Sequence, residues 1–286
     1  MSRVKSPLLL LGALLLGGCA NLNPLNSVSS ATPPAGKEAQ EALRLAHVLR
    51  DNGRLEAAYD VYERMDQRKQ LHGPYVLEYA SVAATVRPAQ EALSLFRRAS
   101  TELGPDLAAL QPIQRLTLCS GTGRAHLALG MAPQAERDFR CALEAQSNNA
   151  QALNGLGVAL NLQGKGQEAR GQFEKALEIE PGYSAAVNNL ALAWLADGDS
   201  GRAIGLLNQS RSSGDVALEL NLALAYVLAG HDDTAEQVLL EKLPQDRTRT
   251  VLKEFQAARE RVKNGAPLAS ELLAASQKPF VLGDKD

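Results

Sequence analysis

Seven side chains hold most of the reactive chemistry available to this sequence: the histidines His47, His72, His126 and His231 and the cysteines Cys19, Cys119 and Cys141. Zinc ligation or nucleophilic catalysis needs such groups brought together, through spacings such as His-Glu-x-x-His or Cys-x-x-Cys, and neither spacing occurs. Gly121-Thr122-Gly123 has the glycine content of a phosphate-binding turn, but no strand precedes it and it lies inside a helical apolar period. No catalytic residue, cofactor or metal is expected, and the chain reads as a non-enzyme.

The elements that must position these side chains are set by a repeat. Gly130, Gly164 and Gly198 stand 34 residues apart, each followed five residues later by an alanine, Ala135, Ala169 and Ala203. One unit, Ala150 to Tyr183, carries Leu156, Gly157, Leu160, Gly164, Ala169, Phe173, Ala176 and Pro181. The next places Leu190, Ala191, Trp194, Gly198, Ala203 and Leu207 in register, and a sixth follows with Leu222, Ala223, Tyr226, Gly230, Ala235 and Leu239. Upstream lie Thr122, Gly123, His126, Gly130, Ala135, Phe139 and Ala142. Weaker copies stand at Leu45, Ala46, Leu49, Gly53, Ala58, Tyr62 and at Ala80, Ala92, Phe96, Ala99.

Each unit reads as two helices around a glycine able to adopt the left-handed conformation. Gly157 and Ala169, and by register Gly123, are expected where the two helices of a hairpin cross. Units two and three are nine residues further apart than the period, and the extra residues are placed between Leu103 and Pro112. A lone hairpin cannot bury its apolar stripe, so hairpins must stack. This pattern resembles the tetratricopeptide repeat. The expected fold class is an all-α solenoid of about six helix-turn-helix repeats over residues 39–246, with a capping helix over 247–264 and a tail over 265–286. The capping helix places Val251, Leu252, Phe255, Ala258 and Val262 on one face.

In that register the histidines fall in different units at unrelated heights, and His126 takes a half-buried packing place. Cys119 and Cys141 stand at matching heights on the two helices of the third unit. Cys141, however, lies two residues past Phe139, about 200° around its helix. That phase favours two separate cysteines, with Cys119 buried, over the disulfide that an oxidising compartment would allow.

At the N-terminus, Arg3 and Lys5 precede the apolar run Leu8 to Leu16. The run is shorter than the roughly 20 residues needed to span a bilayer and suits a secretory signal over residues 1–18. It ends in Leu16-Gly17-Gly18-Cys19, which resembles the bacterial lipobox and implies cleavage before Cys19 and acylation of its thiol. Each buried methylene contributes about 0.8 kcal/mol, so several acyl chains give a lasting anchor. Ala20 is not the aspartate of an inner-membrane retention signal, which points to the outer membrane. Residues 19–38 then form a polar tether able to hold the array on the order of 20 Å from the membrane.

The chain has 30 Lys and Arg against 32 Asp and Glu. Loss of Arg3 and Lys5 with the signal removes two positive charges and takes the net charge from −2 to −4. No basic stripe with interleaved aromatics is present, which argues against nucleic acid and leaves lipid as the membrane attachment. Hydrophobic residues make up 45% and aromatics only 4%, so the apolar content is mostly Ala and Leu, both strong helix formers.

In tetratricopeptide arrays, first-helix positions pointing away from the second helix line a groove. Mapped here, early units contribute His47, Arg50, Ser81 and Arg124, and middle units contribute Asn154, Asn161 and Asn188. The last two contribute Leu192, Leu195, Leu220, Leu224, Val227 and Leu228, a stripe either covered by the chain itself or left as an interaction patch. The amides suit a peptide backbone and the leucines the apolar face of a helix.

The lipobox, the short tether and the phrases Asn188-Asn189-Leu190-Ala191-Leu192-Ala193 and Asn221-Leu222-Ala223-Leu224-Ala225-Tyr226-Val227-Leu228-Ala229-Gly230 together resemble the TadD family, lipoproteins of the tight adherence (Flp, type IVb) pilus. The resemblance implies a pilotin-like role at the periplasmic face of the outer membrane, with a secretin subunit or other pilus assembly protein as partner. The alternatives are a general envelope scaffold that docks cell-wall hydrolases and a type IVa pilotin.

Overall fold

Ala- and Leu-rich segments punctuated by glycine fold as helices with left-handed ends, and the computed structural model has that form over the residues it describes, 34–211, 214–266 and 268. Thirteen α-helices, and no strand, occur among the described residues. They are α1 (Lys37–Asp51), α2 (Leu55–Gln67), α3 (Pro74–Val86), α4 (Ala89–Leu103), α5 (Pro112–Ala128), α6 (Ala132–Ala145) and α7 (Ala150–Asn161), then α8 (Gly166–Ile179), α9 (Ser184–Ala196), α10 (Ser200–Gln209), α11 (Val216–Leu228), α12 (Asp232–Leu240) and α13 (Gln245–Lys263). The expected all-α class holds for the described residues, and helical hairpins in the expected register occur within each of the two units described below. The signal segment, Cys19, most of the tether, and Leu272, Leu273 and Phe280 of the tail lie outside the described residues.

The turn between the two helices of a hairpin is built the same way again and again. Met131 N–H donates to the His126 carbonyl and Gly130 N–H to Leu127, while Gly130 takes φ 71°. The same pair of bonds closes α9, from Asp199 to Trp194 and from Gly198 to Leu195, and satisfies carbonyls the helix leaves open. The second hairpin has no such glycine. There Pro88 ends α3 by holding Arg87 extended at φ −124°, ψ 162°. Several helix starts are fixed by side chains: Asn149 accepts from Ala152 N–H, Asp199 from Arg202 N–H and Asp215 from Ala217 N–H.

The described residues fall into two compact units, 34–163 and 164–268. In the first, each helix packs on its neighbour in sequence, and the first helices of successive hairpins touch as well, α3 on α5 and α5 on α7. Tyr62, Phe96 and Phe139 recur at one position of the second helix, each at most 1% exposed. The Phe96 and Phe139 rings are seated by glycines of the following hairpin. A Cβ on Gly121 would come within 2.1 Å of the Phe96 ring, and one on Gly155 within 2.4 Å of the Phe139 ring. Gly123, expected to be the tight crossing, is looser at 3.1 Å from Phe139. Around Phe139 of the third hairpin the closer approach is therefore to the following hairpin, at Gly155, rather than to Gly123 within its own. Part of the nine-residue insertion forms a 3-10 turn, Leu107–Ala109, and Leu107 and Leu110 pack on the core of the first two hairpins.

Cys119 and Cys141 are joined in a disulfide between α5 and α6, with their Cα atoms 5.8 Å apart. This corrects the expectation of two separate cysteines. Phe139 is not the centre of the face that α6 turns toward α5, because its ring lies between Gly123 of α5 and Gly155 of α7. Asp138 reaches His126 of α5, and Cys141, one turn beyond Asp138, shares that side of α6.

In the second unit α8 to α12 also pack in sequence, α9 touches α11, and α13 lies across α11 and α12. Val251, Phe255 and Ala258 of α13 are buried, Val251 and Phe255 in one cluster with Leu195, Leu222, Leu224 and Val227. Arg259 pins the helix, donating to the Val227 carbonyl at 2.9 Å and to Asp232 at 2.5 Å. The expected capping helix is thus a nineteen-residue element whose apolar face completes the core.

Candidate functional site

In the first unit most polar groups assigned to the groove have partners within the protein. Glu78 of α3 is 1% exposed, and its Oε2 accepts from Tyr62 Oη at 2.9 Å and meets His47 Nε2 at 2.6 Å, with Arg50 Nη1 at 3.5 Å. Burial, with the Glu78 charge beside it, pushes the Tyr62 phenol well above its ordinary value. His47 and Arg50 therefore tie two hairpins together. Ser81 is buried and donates to the Leu77 carbonyl at 2.8 Å. Asn154 is only 2% exposed, whereas Asn161 at the end of α7 is open to solvent and Arg124 is half-buried. His126 pairs through Nδ1 with Asp138 at 2.5 Å, and burial raises the Asp138 carboxyl although the imidazole opposes it.

In the second unit the apolar stripe divides. Leu195, Leu224 and Val227 are at most 4% exposed and belong to the core, which takes them off any surface a partner could reach. Leu192, Leu220 and Leu228 are half-buried against the same cluster. Asn188 is half-buried and accepts a hydrogen bond from the Asn221 amide. The reachable set is thus Arg124 and Asn161 in the first unit and Asn188, Leu192, Leu220 and Leu228 in the second.

Two groupings escaped the sequence reading. The Tyr62–Glu78 contact was hidden because Glu78 stands where the third and fourth repeats have Gly121 and Gly155. Trp194 of α9 has two guanidinium groups over its ring, with Arg170 at 4.7 Å and Arg202 at 4.4 Å from the centroid, and Arg170 is also paired to Asp197. These arginines flank an aromatic face, an arrangement that stiffens both partners.

Among the described residues no group of three or more His, Cys, Asp or Glu could hold a metal ion, and no helix is long and apolar enough to cross a membrane. What the described residues do offer is a series of first helices packed side by side in each unit, the arrangement through which stacked repeats present side chains to other chains.

Comparison with known proteins agrees with this architecture. Residues 121–184 and 163–217 match the tetratricopeptide repeat family. No curated protein matches the chain. Among solved structures, a tetratricopeptide repeat protein from Parabacteroides merdae ATCC 43184 aligns with a TM-score of 0.58 at 18% identity, over 85% of this chain and 100% of its own. A thermophilic tetratricopeptide protein of Thermus thermophilus gives 0.52 at 20% identity, over 66% and 98%. MamA from Desulfovibrio magneticus RS-1 gives 0.52 at 15% identity, over 62% and 95%. Residues 121–217 are thus tetratricopeptide repeat sequence, and the helical hairpins on either side share that fold.

Proposed function

We propose that this chain is a protein-binding scaffold anchored by acyl chains on Cys19 to the periplasmic face of the outer membrane, where it serves assembly of the secretin of a tight adherence pilus. The observation that carries the reading is the tetratricopeptide array placed directly behind Leu16-Gly17-Gly18-Cys19 and a short polar tether. The Cys119–Cys141 disulfide supports it, because such bonds persist in oxidising compartments and are rare in the bacterial cytosol.

The partner surface in this reading is amphipathic. Asn188 supplies donors and acceptors to a backbone, while Leu192, Leu220 and Leu228 offer the half-exposed apolar contacts that a short helix or chain terminus of a secretin subunit would cover. Crosslinking in intact cells followed by purification of the tagged full chain tests the reading. Capture of a secretin subunit, weakened by Leu220→Asp with Leu228→Asp while circular dichroism stays helical, supports it. Capture of cell-wall hydrolases instead would move the assignment to a general envelope adaptor, and failure to capture any envelope protein would overturn the scaffold role.

A further inference from the structure

The first helix of the array exposes a surface that the later hairpins bury, apart from a half-buried Thr122 at one position of the third. Leu45 and Val48 of α1 are 50% and 56% exposed. In repeat register Leu45 corresponds to Tyr79, Leu156, Leu190 and Leu222, all at most 5% exposed, and Val48 corresponds to Val82, Ala125, Ala159, Ala193 and Ala225, likewise at most 5% exposed. Within the first unit such positions are covered by the second helix of the preceding hairpin, as α6 covers α7. That neighbour runs antiparallel to the helix it covers. For α1 there is no preceding hairpin among the described residues, so the missing partner is one antiparallel helix.

We infer that a second copy of this chain supplies it, by two-fold pairing of α1 with α1. On a helical projection Glu41, Leu45, Val48 and Asn52 form the central seam, while Lys37, Arg44 and Asp51 lie together on one flank. A two-fold axis perpendicular to the helices, passing between Leu45 and Val48, sets Leu45 of one copy against Val48 of the other. The same operation keeps each flank facing itself, so Arg44 comes beside Asp51 of the second copy, and Asp51 beside Arg44. Both are exposed, and Asp51 is engaged by Arg50 of its own chain. Glu41 is brought opposite the amide of Asn52. The pattern is self-complementary in shape and in sign.

Charge disfavours a lipid headgroup as the occupant. The exposed ionised groups of α1 are Lys37 and Arg44 against Glu38, Glu41 and Asp51, a net negative face that an anionic leaflet repels. Arg68 already pairs with Glu38 at 2.5 Å, which holds that side of α1 to α2 and leaves the Arg44 and Asp51 flank as the side that meets the second copy.

The test is sedimentation of the full mature chain in density-matched neutral detergent over a wide concentration range. The wild type is expected to pass from one to two copies, with weaker association at high salt. Leu45→Glu or Val48→Glu, each at an exposed site, should raise the dissociation constant by about tenfold or more with unchanged melting. Arg44→Asp alone should weaken pairing, and adding Asp51→Arg should bring it back toward the wild-type value, an outcome no other occupant of this face would give. A wild type that stays monomeric at all concentrations, a dimer indifferent to Leu45→Glu and Val48→Glu, or protection of this face only on addition of lipid vesicles would overturn the inference.

Discussion

At the scale of single residues, the same amino acid has opposite value at two places in the array. A Cβ on Gly155 would lie 2.4 Å from the Phe139 ring, which is 1% exposed and also faces Gly123 of α5, where an added Cβ would itself come within 3.1 Å of the ring. Replacing a mid-helix glycine by alanine gains about 1 kcal/mol of helix propensity, but overpacking a closed core costs about 1–3 kcal/mol. Gly155→Ala should therefore lower the melting temperature. Gly171 in α8 would meet nothing within 4 Å, so Gly171→Ala should raise stability by about 0.5–1 kcal/mol. Thermal denaturation of the two variants reads the difference in sign, and a stabilised Gly155→Ala would show that the ring can move. Tyr62 and Glu78 solve the same contact differently. Where later hairpins pair a phenyl ring with glycine, this one pairs a phenol with a buried carboxylate at 2.9 Å, a substitution in which both partners change together.

Elements bring in constraints that no single residue carries. The Cys119–Cys141 bond closes a 22-residue separation across one hairpin, and a crosslink of that span stabilises by about 2–4 kcal/mol. Cys141→Ser should lose this amount in chemical denaturation, and reductant should lower the wild type to the same level; a wild type indifferent to reductant would remove the bond from the account. Hairpin boundaries and α13 were legible in the sequence because glycine spacing and a one-sided apolar period are local. The disulfide was not, since the phase of α6 is set by Phe139 reaching forward to α7, a contact absent from the hairpin's own sequence. Likewise the leucine stripe looked exposed because α11 carries apolar residues on nearly every side, and periodicity cannot tell which side a neighbour covers. The docking of α13 is also sensitive to acid. Arg259, donating to Asp232, holds that carboxyl below its ordinary value. The contribution is complete above the ordinary carboxylate value and is lost as the pH falls through the lowered one. Amide protection factors in α12 and α13, with the intrinsic pH dependence of exchange divided out, should fall between neutral pH and about pH 3, more than in helices α1 and α2 of the first unit, and Asp232→Asn should flatten that dependence.

At the scale of the whole molecule, the proposed membrane attachment sets constraints that the parts must meet together. No described helix is long and apolar enough to cross a bilayer, and the net charge, −2 for the whole sequence and −4 if Arg3 and Lys5 leave with the proposed signal, supplies no polybasic attraction to an anionic leaflet. In the proposed function the holding is assigned to acyl chains on Cys19. Stable attachment needs more than one acyl chain, because a single chain binds reversibly. Replacing Cys19 by serine takes away the only acceptor for those chains while leaving the array, which starts beyond the polar tether, with all its packing. Cys19→Ser should thus move the protein from the membrane fraction to the soluble one, with unchanged helical circular dichroism and unchanged melting. Fractionation of envelopes from cells making each form measures this directly. A Cys19→Ser protein that still sediments with membranes, and is released only by detergent, would mean that a surface of the array itself does the anchoring.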